Sequence, residues 1–264
     1  MIVRKAEQAI AKRLVSVAGE DARLEASFLL RANGFHSPYQ ELSETDAEAL
    51  DPLIERRLTG EPLPYILGEW EFYGLPFFVD RTVLIPRPDT ERLVELALKE
   101  LSPDRNTVLD LCCGSGCIGI ALAVCGHAKV TAADVSADAL DMTARNAHRN
   151  GVSVQTVRSD FLEEVQGSFD LIVCNPPYLS KEDMENRDAA LRFEPALALD
   201  GGEDGLDFYR LLAGSYKRVL KPDGALFMEI GMTQKDAVLS LFPGAECVPD
   251  YGNRPRVVIV RNHD

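Results

Sequence analysis

Asn175-Pro176-Pro177-Tyr178 closes the apolar run Phe169-Asp-Leu-Ile-Val-Cys174 and brings an unusual set of functional groups together. Asn175 has a side-chain amide that both donates and accepts, and Pro176 offers a backbone carbonyl with no N–H of its own. Tyr178 supplies a flat ring for stacking. Pro176 biases Asn175 toward extended backbone, and neither Pro176 nor Pro177 can donate to a sheet ladder. Such a loop is rigid and can accept both hydrogens of a planar group ending in –NH2. Taken alone, the tetrapeptide suits an ordinary strand-to-helix turn equally well. A glycine-rich turn upstream shifts the reading toward a binding and catalytic site.

That turn is Asp110-Leu-Cys112-Cys113-Gly114-Ser115-Gly116-Cys-Ile-Gly119, placed between a short apolar strand and a helix. Glycines there let the backbone approach a ligand closely. A dinucleotide fingerprint is the obvious rival, but Cys-Cys-Gly-Ser-Gly matches G-x-G-x-x-G poorly. Asp134 ends the next strand, where a carboxylate can accept both hydroxyls of a ribose. Ser159-Asp160-Phe161 ends the third, with an acid and an aromatic ring suited to the amine and face of an adenine. Three successive strand ends thus contact one nucleoside, and S-adenosyl-L-methionine, cationic and carrying a carboxylate, fits better than a pyrophosphate. The plainer alternative for Asp134 is a cap on the helix that follows. Asp160 and Phe161 could be no more than turn residues, and Cys112 and Cys113 read as packing residues rather than reactive thiols.

The elements that must position these residues alternate strand and helix from Thr107 onward, which predicts a parallel sheet with helices on both faces. Strands are expected at 108–111, 129–133, 154–158, 170–174 and 225–230, with a closing hairpin at 246–249 and 256–261. Helices are expected at 118–124, 137–150, 205–219 and 235–241, with a polar, mobile segment after Tyr178. Upstream, Ala6, Ala9, Ile10, Leu14 and Val17 recur at helical spacing. A second helix starts near Asp21 and ends at Asn33-Gly34, and a third runs from Ser43 toward Leu58 with Pro52 marking a kink or restart. Between Gly60 and Pro88 prolines, glycines and aromatics predict a loop-and-hairpin connector. A helix follows, capped by Asp89 or Thr90. The division expected is a helical domain at 1–70, a hairpin connector at 71–88 and a Rossmann-like S-adenosylmethionine-binding domain at 89–264. The fold class is therefore α/β, a mostly parallel seven-stranded sheet with a small N-terminal helical bundle.

Composition narrows the partners. Of 264 residues 46% are apolar, enough for a full core without staples. Net charge is −14, and residues 1–70 hold 8 basic against 12 acidic side chains, so neither part is basic. Binding bare nucleic acid relies on neutralising phosphates, so no direct nucleic-acid partner is expected. No apolar run approaches the ~20 residues of a membrane span and no signal-peptide pattern opens the chain. The six cysteines lack paired spacing and read as reduced core thiols of a cytoplasmic protein. His36, His127, His148 and His263 form no metal-like grouping, and no metal is expected.

Together these motifs resemble the HemK/PrmC family, S-adenosylmethionine-dependent enzymes that methylate the glutamine of the Gly-Gly-Gln motif in class 1 peptide-chain release factors. The resemblance covers nearly the whole chain. It rests on Gly68-Glu-Trp-Glu-Phe-Tyr-Gly74, Ile85-Pro-Arg-Pro-Asp-Thr-Glu91, the glycine-rich turn and Asn175-Pro-Pro-Tyr178. It extends through Phe193-Glu-Pro-Ala-Leu197, Gly201-Gly-Glu-Asp-Gly-Leu206 and Glu229-Ile-Gly231. It implies cofactor contacts at Cys112 to Gly116, Asp134 and Phe161, with Asn175 shared between cofactor and substrate. The glutamine would lie against Asn175, Pro176, Pro177 and Tyr178. Residues 1–70 would engage the release factor, and a monomer is expected. The family's usual first glycine of the turn is Cys112 here, a departure that matters if the position needs a positive φ.

Three rivals use overlapping features. An amine methyltransferase acting on nucleic acid would share the Asn-Pro-Pro-Tyr loop but should bring a basic face. A glutamine methyltransferase acting on a ribosomal protein would share cofactor and mechanism. A non-catalytic adaptor would have no need of an intact Asn175.

Overall fold

The computed structural model of the chain describes residues 1–262, and His263 lies outside the described residues. The chain forms two compact units: Met1–Gly68 with Asp188–Phe193, and Glu69–Arg187 with the described residues from Glu194 onward.

The first unit holds helices α1 (Val3–Ala18), α2 (Ala22–Ala32), α3 (Glu44–Leu58) and α4 (Leu63–Leu67). Ala6, Ile10 and Leu14 of α1 are buried as their spacing predicts, while Ala9 is exposed; α2 buries Ala26, Leu29 and Leu30 and leaves Leu24 exposed. α3 opens on a capping box: Asp46 N donates to Ser43 Oγ at 3.1 Å and Ser43 N donates to the Asp46 carboxylate at 2.9 Å. It runs unbroken through Pro52. Asp21 precedes α2, but its side chain makes no capping bond. Helix α4 falls where prolines predict a loop; Pro64 sits in its first turn, where a missing N–H costs nothing. Gly60 lies so near the 188–193 segment that a Cβ there would be 3.8 Å from Ala189 and 3.9 Å from Phe193.

The second unit begins with the hairpin β1 (Glu69–Phe72) and β2 (Leu75–Phe78), followed by α5 (Glu91–Leu98). The main sheet contains β3 (Thr107–Leu111), β4 (Lys129–Asp134), β5 (Val154–Arg158), β6 (Phe169–Cys174), β7 (Leu220–Glu229), β8 (Glu246–Pro249) and β9 (Pro255–Arg261). Between them run α6 (Cys117–Gly126), α7 (Ala137–Arg149), α8 (Lys181–Glu185), α9 (Asp207–Ser215) and α10 (Lys235–Leu241). Strand order is β5-β4-β3-β6-β7-β9-β8, with only β9 antiparallel to its neighbours. All six residues of β6 are buried, as its unbroken apolar pattern predicts. Leu171 and Val173 face a core shared with Leu93, Val94, Ile118 and Phe77, while Ile172 and Cys174 face one shared with Tyr209, Leu212 and Val238.

One expectation needs correction here. β7 starts at Leu220, five residues before the expected strand, and its register against β6 shifts between Phe169 and Leu171 to absorb Lys221-Pro-Asp-Gly224. Within the polar segment after Tyr178, α8 opens on its own capping box between Ser180 and Asp183.

Candidate active site

The order β5-β4-β3-β6 reverses direction between β3 and β6, and a cavity of about 360 Å³ opens at the carboxyl ends of these four strands. Cys112, Cys113, Gly114, Ser115, Asp134, Asp160, Phe161, Asn175 and Pro177 all line it. Gly116, Pro176 and Tyr178 do not, although each lies in the same two loops.

The turn after β3 is built on left-handed backbone: φ is 57° at Cys112, 54° at Gly114 and 77° at Gly116. The position where the sequence departs from glycine is thus one that favours glycine, and Cys112 holds the conformation against a cost of roughly 1–2 kcal/mol. Gly116 is needed twice over, because a Cβ there would also come 2.8 Å from Thr143 Cγ2. Behind the turn, Asp110 is 1% exposed, and its Oδ2 accepts from Gly119 N at 2.8 Å. Burial pushes its carboxyl up to about 8, a rise that the Gly119 N–H opposes and Asp134 reinforces. Cys113 is also buried; desolvation raises its thiol well above the usual range, as expected of a packing residue.

Asp134 Oδ2 accepts from Gly114 N at 3.0 Å and its Oδ1 from Ser136 N at 2.9 Å. Each oxygen keeps a further acceptor site, so the carboxylate can still receive two hydroxyls. The helix cap falls to Ser136, whose Oγ accepts from Ala139 N at 3.2 Å. Asp160 is exposed at the cavity mouth. Phe161 takes φ 56°, unusual for so bulky a residue, and meets Phe208 edge-on with centroids 5.8 Å apart. An acid, a shaped glycine turn and an aromatic edge around an apolar hollow suit a nucleoside-bearing cofactor.

Asn175 leaves β6 half-buried, and its Nδ2 donates to Thr90 Oγ1 at 3.3 Å. Thr90 Oγ1 donates in turn to Glu229 Oε2 at 2.6 Å. The Tyr178 hydroxyl reaches Glu229 Oε1 at 3.5 Å, and Arg256 lies 3.6 Å from that same oxygen. Burial raises the Glu229 carboxyl, while Thr90 and Arg256 favour its charged form. Burial and the adjacent Glu229 push the Tyr178 phenol up to about 12, so it stays a neutral donor. Behind the loop, Gln234 Nε2 donates to Tyr178 O at 2.9 Å and Gly205 O at 3.1 Å.

Sequence reasoning missed several wall residues, among them Arg81, Arg87, Thr90, Leu197 and Phe208. The stretch Ile85 to Glu91 is marked in the sequence only by resemblance, with Asp89 or Thr90 expected to cap the helix that follows. The Thr90 side chain makes no capping bond to α5: Thr90 is already helical in backbone (φ −68°, ψ −21°), and its hydroxyl turns to Glu229 and Asn175 instead. Glu194 was likewise uninterpreted. It is buried, accepts from Ile85 N at 3.1 Å and pairs with Arg87, which holds Pro195 and Leu197 at the cavity wall.

Comparison with known proteins now adds to this geometry. The chain is 43% identical over 233 residues to a release factor glutamine methyltransferase from Geobacter sulfurreducens, spanning 84% of this chain and 82% of that protein. It is 39% identical to one from Koribacter versatilis, over 99% of both chains. The chain belongs to the HemK/PrmC family of release factor glutamine methyltransferases. The family's PrmC N-terminal domain matches residues 2–68, and a methyltransferase small domain matches 90–196. The fold extends further: a methyltransferase from Pyrococcus furiosus, 17% identical, aligns with a TM-score of 0.55 over 73% of this chain and 91% of its own.

Proposed function

We propose that this protein transfers a methyl group from S-adenosyl-L-methionine to the side-chain amide nitrogen of the glutamine in the Gly-Gly-Gln motif of class 1 peptide-chain release factors. Beyond family membership, one observation carries the reading. Asn175, whose amide is held by Thr90, stands on the wall of the cavity formed by the glycine turn.

When bound, the cofactor supplies an electrophilic methyl group on a sulfonium. Cys112, Cys113, Gly114 and Ser115 would line its bed and Gly116 would shape the turn. Asp134 would accept the ribose hydroxyls, with Asp160 and Phe161 at the base. An amide nitrogen is a poor nucleophile because its lone pair is shared with the carbonyl. Asn175 Oδ1 and the Pro176 carbonyl would accept its two N–H groups, aiming the nitrogen and favouring pyramidalisation. Pro177 keeps that loop stiff. Tyr178, with its hydroxyl on Glu229, offers a ring to the amide plane. Orienting two bound reactants can contribute ~7–11 kcal/mol, so no strong general base is required. The proton can leave late, to water.

The same reading makes Met1–Gly68 the docking unit for the release factor and the chain a cytoplasmic monomer with no direct nucleic-acid or membrane partner. Among the described residues, no helix is long and apolar enough to cross a membrane. The deciding experiment offers labelled S-adenosylmethionine with release factor, ribosomal proteins and DNA in parallel. Label should enter release factor alone and disappear when its glutamine is replaced; preferential labelling of another acceptor refutes the assignment.

A further inference from the structure

Thr90, Glu229 and Tyr178 form a buried polar chain that ends on Asn175, and the direction of every hydrogen bond in it is determined. Glu229 is 1% exposed, and three groups that donate or carry positive charge converge on it. Tyr178 and Arg256 approach Oε1, and Thr90 approaches Oε2. A carboxylate so surrounded only accepts. Thr90 has a single hydroxyl proton, committed to Glu229 at 2.6 Å, so it presents only lone pairs to its other neighbour. That neighbour is Asn175, which must therefore turn its NH2 toward Thr90. A flipped amide would set oxygen against oxygen inside the protein, where an unmade hydrogen bond is costly. Arg256 is itself paired with Asp89 at 3.0 Å, next in sequence to Thr90.

We propose that Thr90 and Glu229 are positioning residues for the transfer, holding the Asn175 amide in the one orientation that leaves Oδ1 free to receive the substrate –NH2. The inference rests on the reading of Asn175-Pro-Pro-Tyr178 as the glutamine-receiving loop and adds what fixes its polarity. Because Glu229 also takes the Tyr178 hydroxyl, both ends of the loop refer to one carboxylate. The loop is thereby kept from rotating about its prolines as a unit. The packing alternative holds that Thr90 simply fills space, and it makes different predictions.

The test is a mutant cycle on the full chain, with turnover on release factor normalised to folded protein. Thr90→Val keeps the shape and removes the hydroxyl; Thr90→Ser restores the hydroxyl. Thr90→Val should lower kcat by about ten- to a hundredfold, the scale of a misaimed reactant, with little change in KM for S-adenosylmethionine. Thr90→Ser should recover most of that loss. In an Asn175→Ala background, Thr90→Val should cost less than about twofold more, since it acts through a side chain already gone. Equal losses in both backgrounds, or a serine variant no better than valine, would overturn the proposal. A second readout needs no substrate: the Asn175 Nδ2 protons, followed by NMR, should exchange slowly in wild type and Thr90→Ser and quickly in Thr90→Val. If these protons behave so while the wild type fails to methylate release factor, the substrate reading falls and the positioning stands. Unprotected Nδ2 protons in the wild type would remove the positioning whatever the substrate.

Discussion

At the scale of single residues, Asn175 and Cys112 make the sharpest claims. Asn175→Ala removes an acceptor from the reacting amine, and turnover should fall at least ~100-fold, as for one oriented contact in an active site. Melting temperature should barely move. Asn175→Asp is nearly isosteric and keeps its acceptors, yet it loses the N–H that Thr90 Oγ1 accepts. Its carboxylate would face the lone pairs of Thr90, so we expect it to be no more active than the alanine variant; single-turnover kinetics would separate the two. Cys112 contributes strain rather than chemistry. Cys112→Gly relieves left-handed backbone at φ 57° and gives back part of the gain in unfolded-chain entropy. A net stabilisation of about 0.5–1 kcal/mol is expected from the difference between these opposing costs. Urea unfolding would measure it, and a less stable glycine variant would show that the thiol's packing outweighs its backbone.

At the scale of elements, β3 and the start of α6 are stapled by one buried acid. The Asp110 carboxyl, raised to about 8, binds its proton more tightly in the folded chain than in the unfolded one. Its contribution to stability is therefore complete below the ordinary carboxylate range near 4 and is lost as pH rises toward 8. Asp110→Asn keeps an acceptor for Gly119 N and cannot ionise. Its melting temperature should gain on the wild type as pH goes from 5 to 8, a trend that differential scanning fluorimetry reads directly. A difference independent of pH would mean that Asp110 is ionised throughout. The elements also show what a sequence discloses. β6 was legible because both its faces are apolar, and the turn after β3 because glycines announce left-handed backbone. α4 was not, since Pro62 and Pro64 favour a loop and a helix start alike. The first half of β7 was hidden by Lys221-Pro-Asp-Gly224, which locally spells a turn and is carried in the sheet by a register shift. Asn175, Asp134 and Phe161 were found because their chemistry is local to a strand end. Thr90 was misread as a cap because its partner, Glu229, is remote in sequence and only the sheet brings them together.

At the scale of the whole molecule, acceptor choice should depend on residues that do not line the cavity. In the first unit Leu24 is 55% exposed and Tyr39 75%, so both are open to a protein partner. If Met1–Gly68 docks the release factor, Leu24→Ser with Tyr39→Ala should raise KM for intact release factor several-fold. KM for a short Gly-Gly-Gln peptide should stay unchanged, because a peptide reaches only the site. Steady-state kinetics on the two substrates gives the comparison, and equal shifts in both would point to a general loss of fold instead.

The first unit also has a discontinuous composition: Asp188–Phe193 belongs with Met1–Gly68. During synthesis α1 to α4 emerge early, while Ala189 and Phe193, which stand over Gly60, are translated only after most of the parallel sheet. At ~5–20 residues per second that interval is on the order of ten seconds, far longer than a helical bundle needs to collapse. The nascent bundle must therefore wait on the ribosome before Ala189 and Phe193 can join it, so its last piece is fitted only after the strands β3 to β6 have been made.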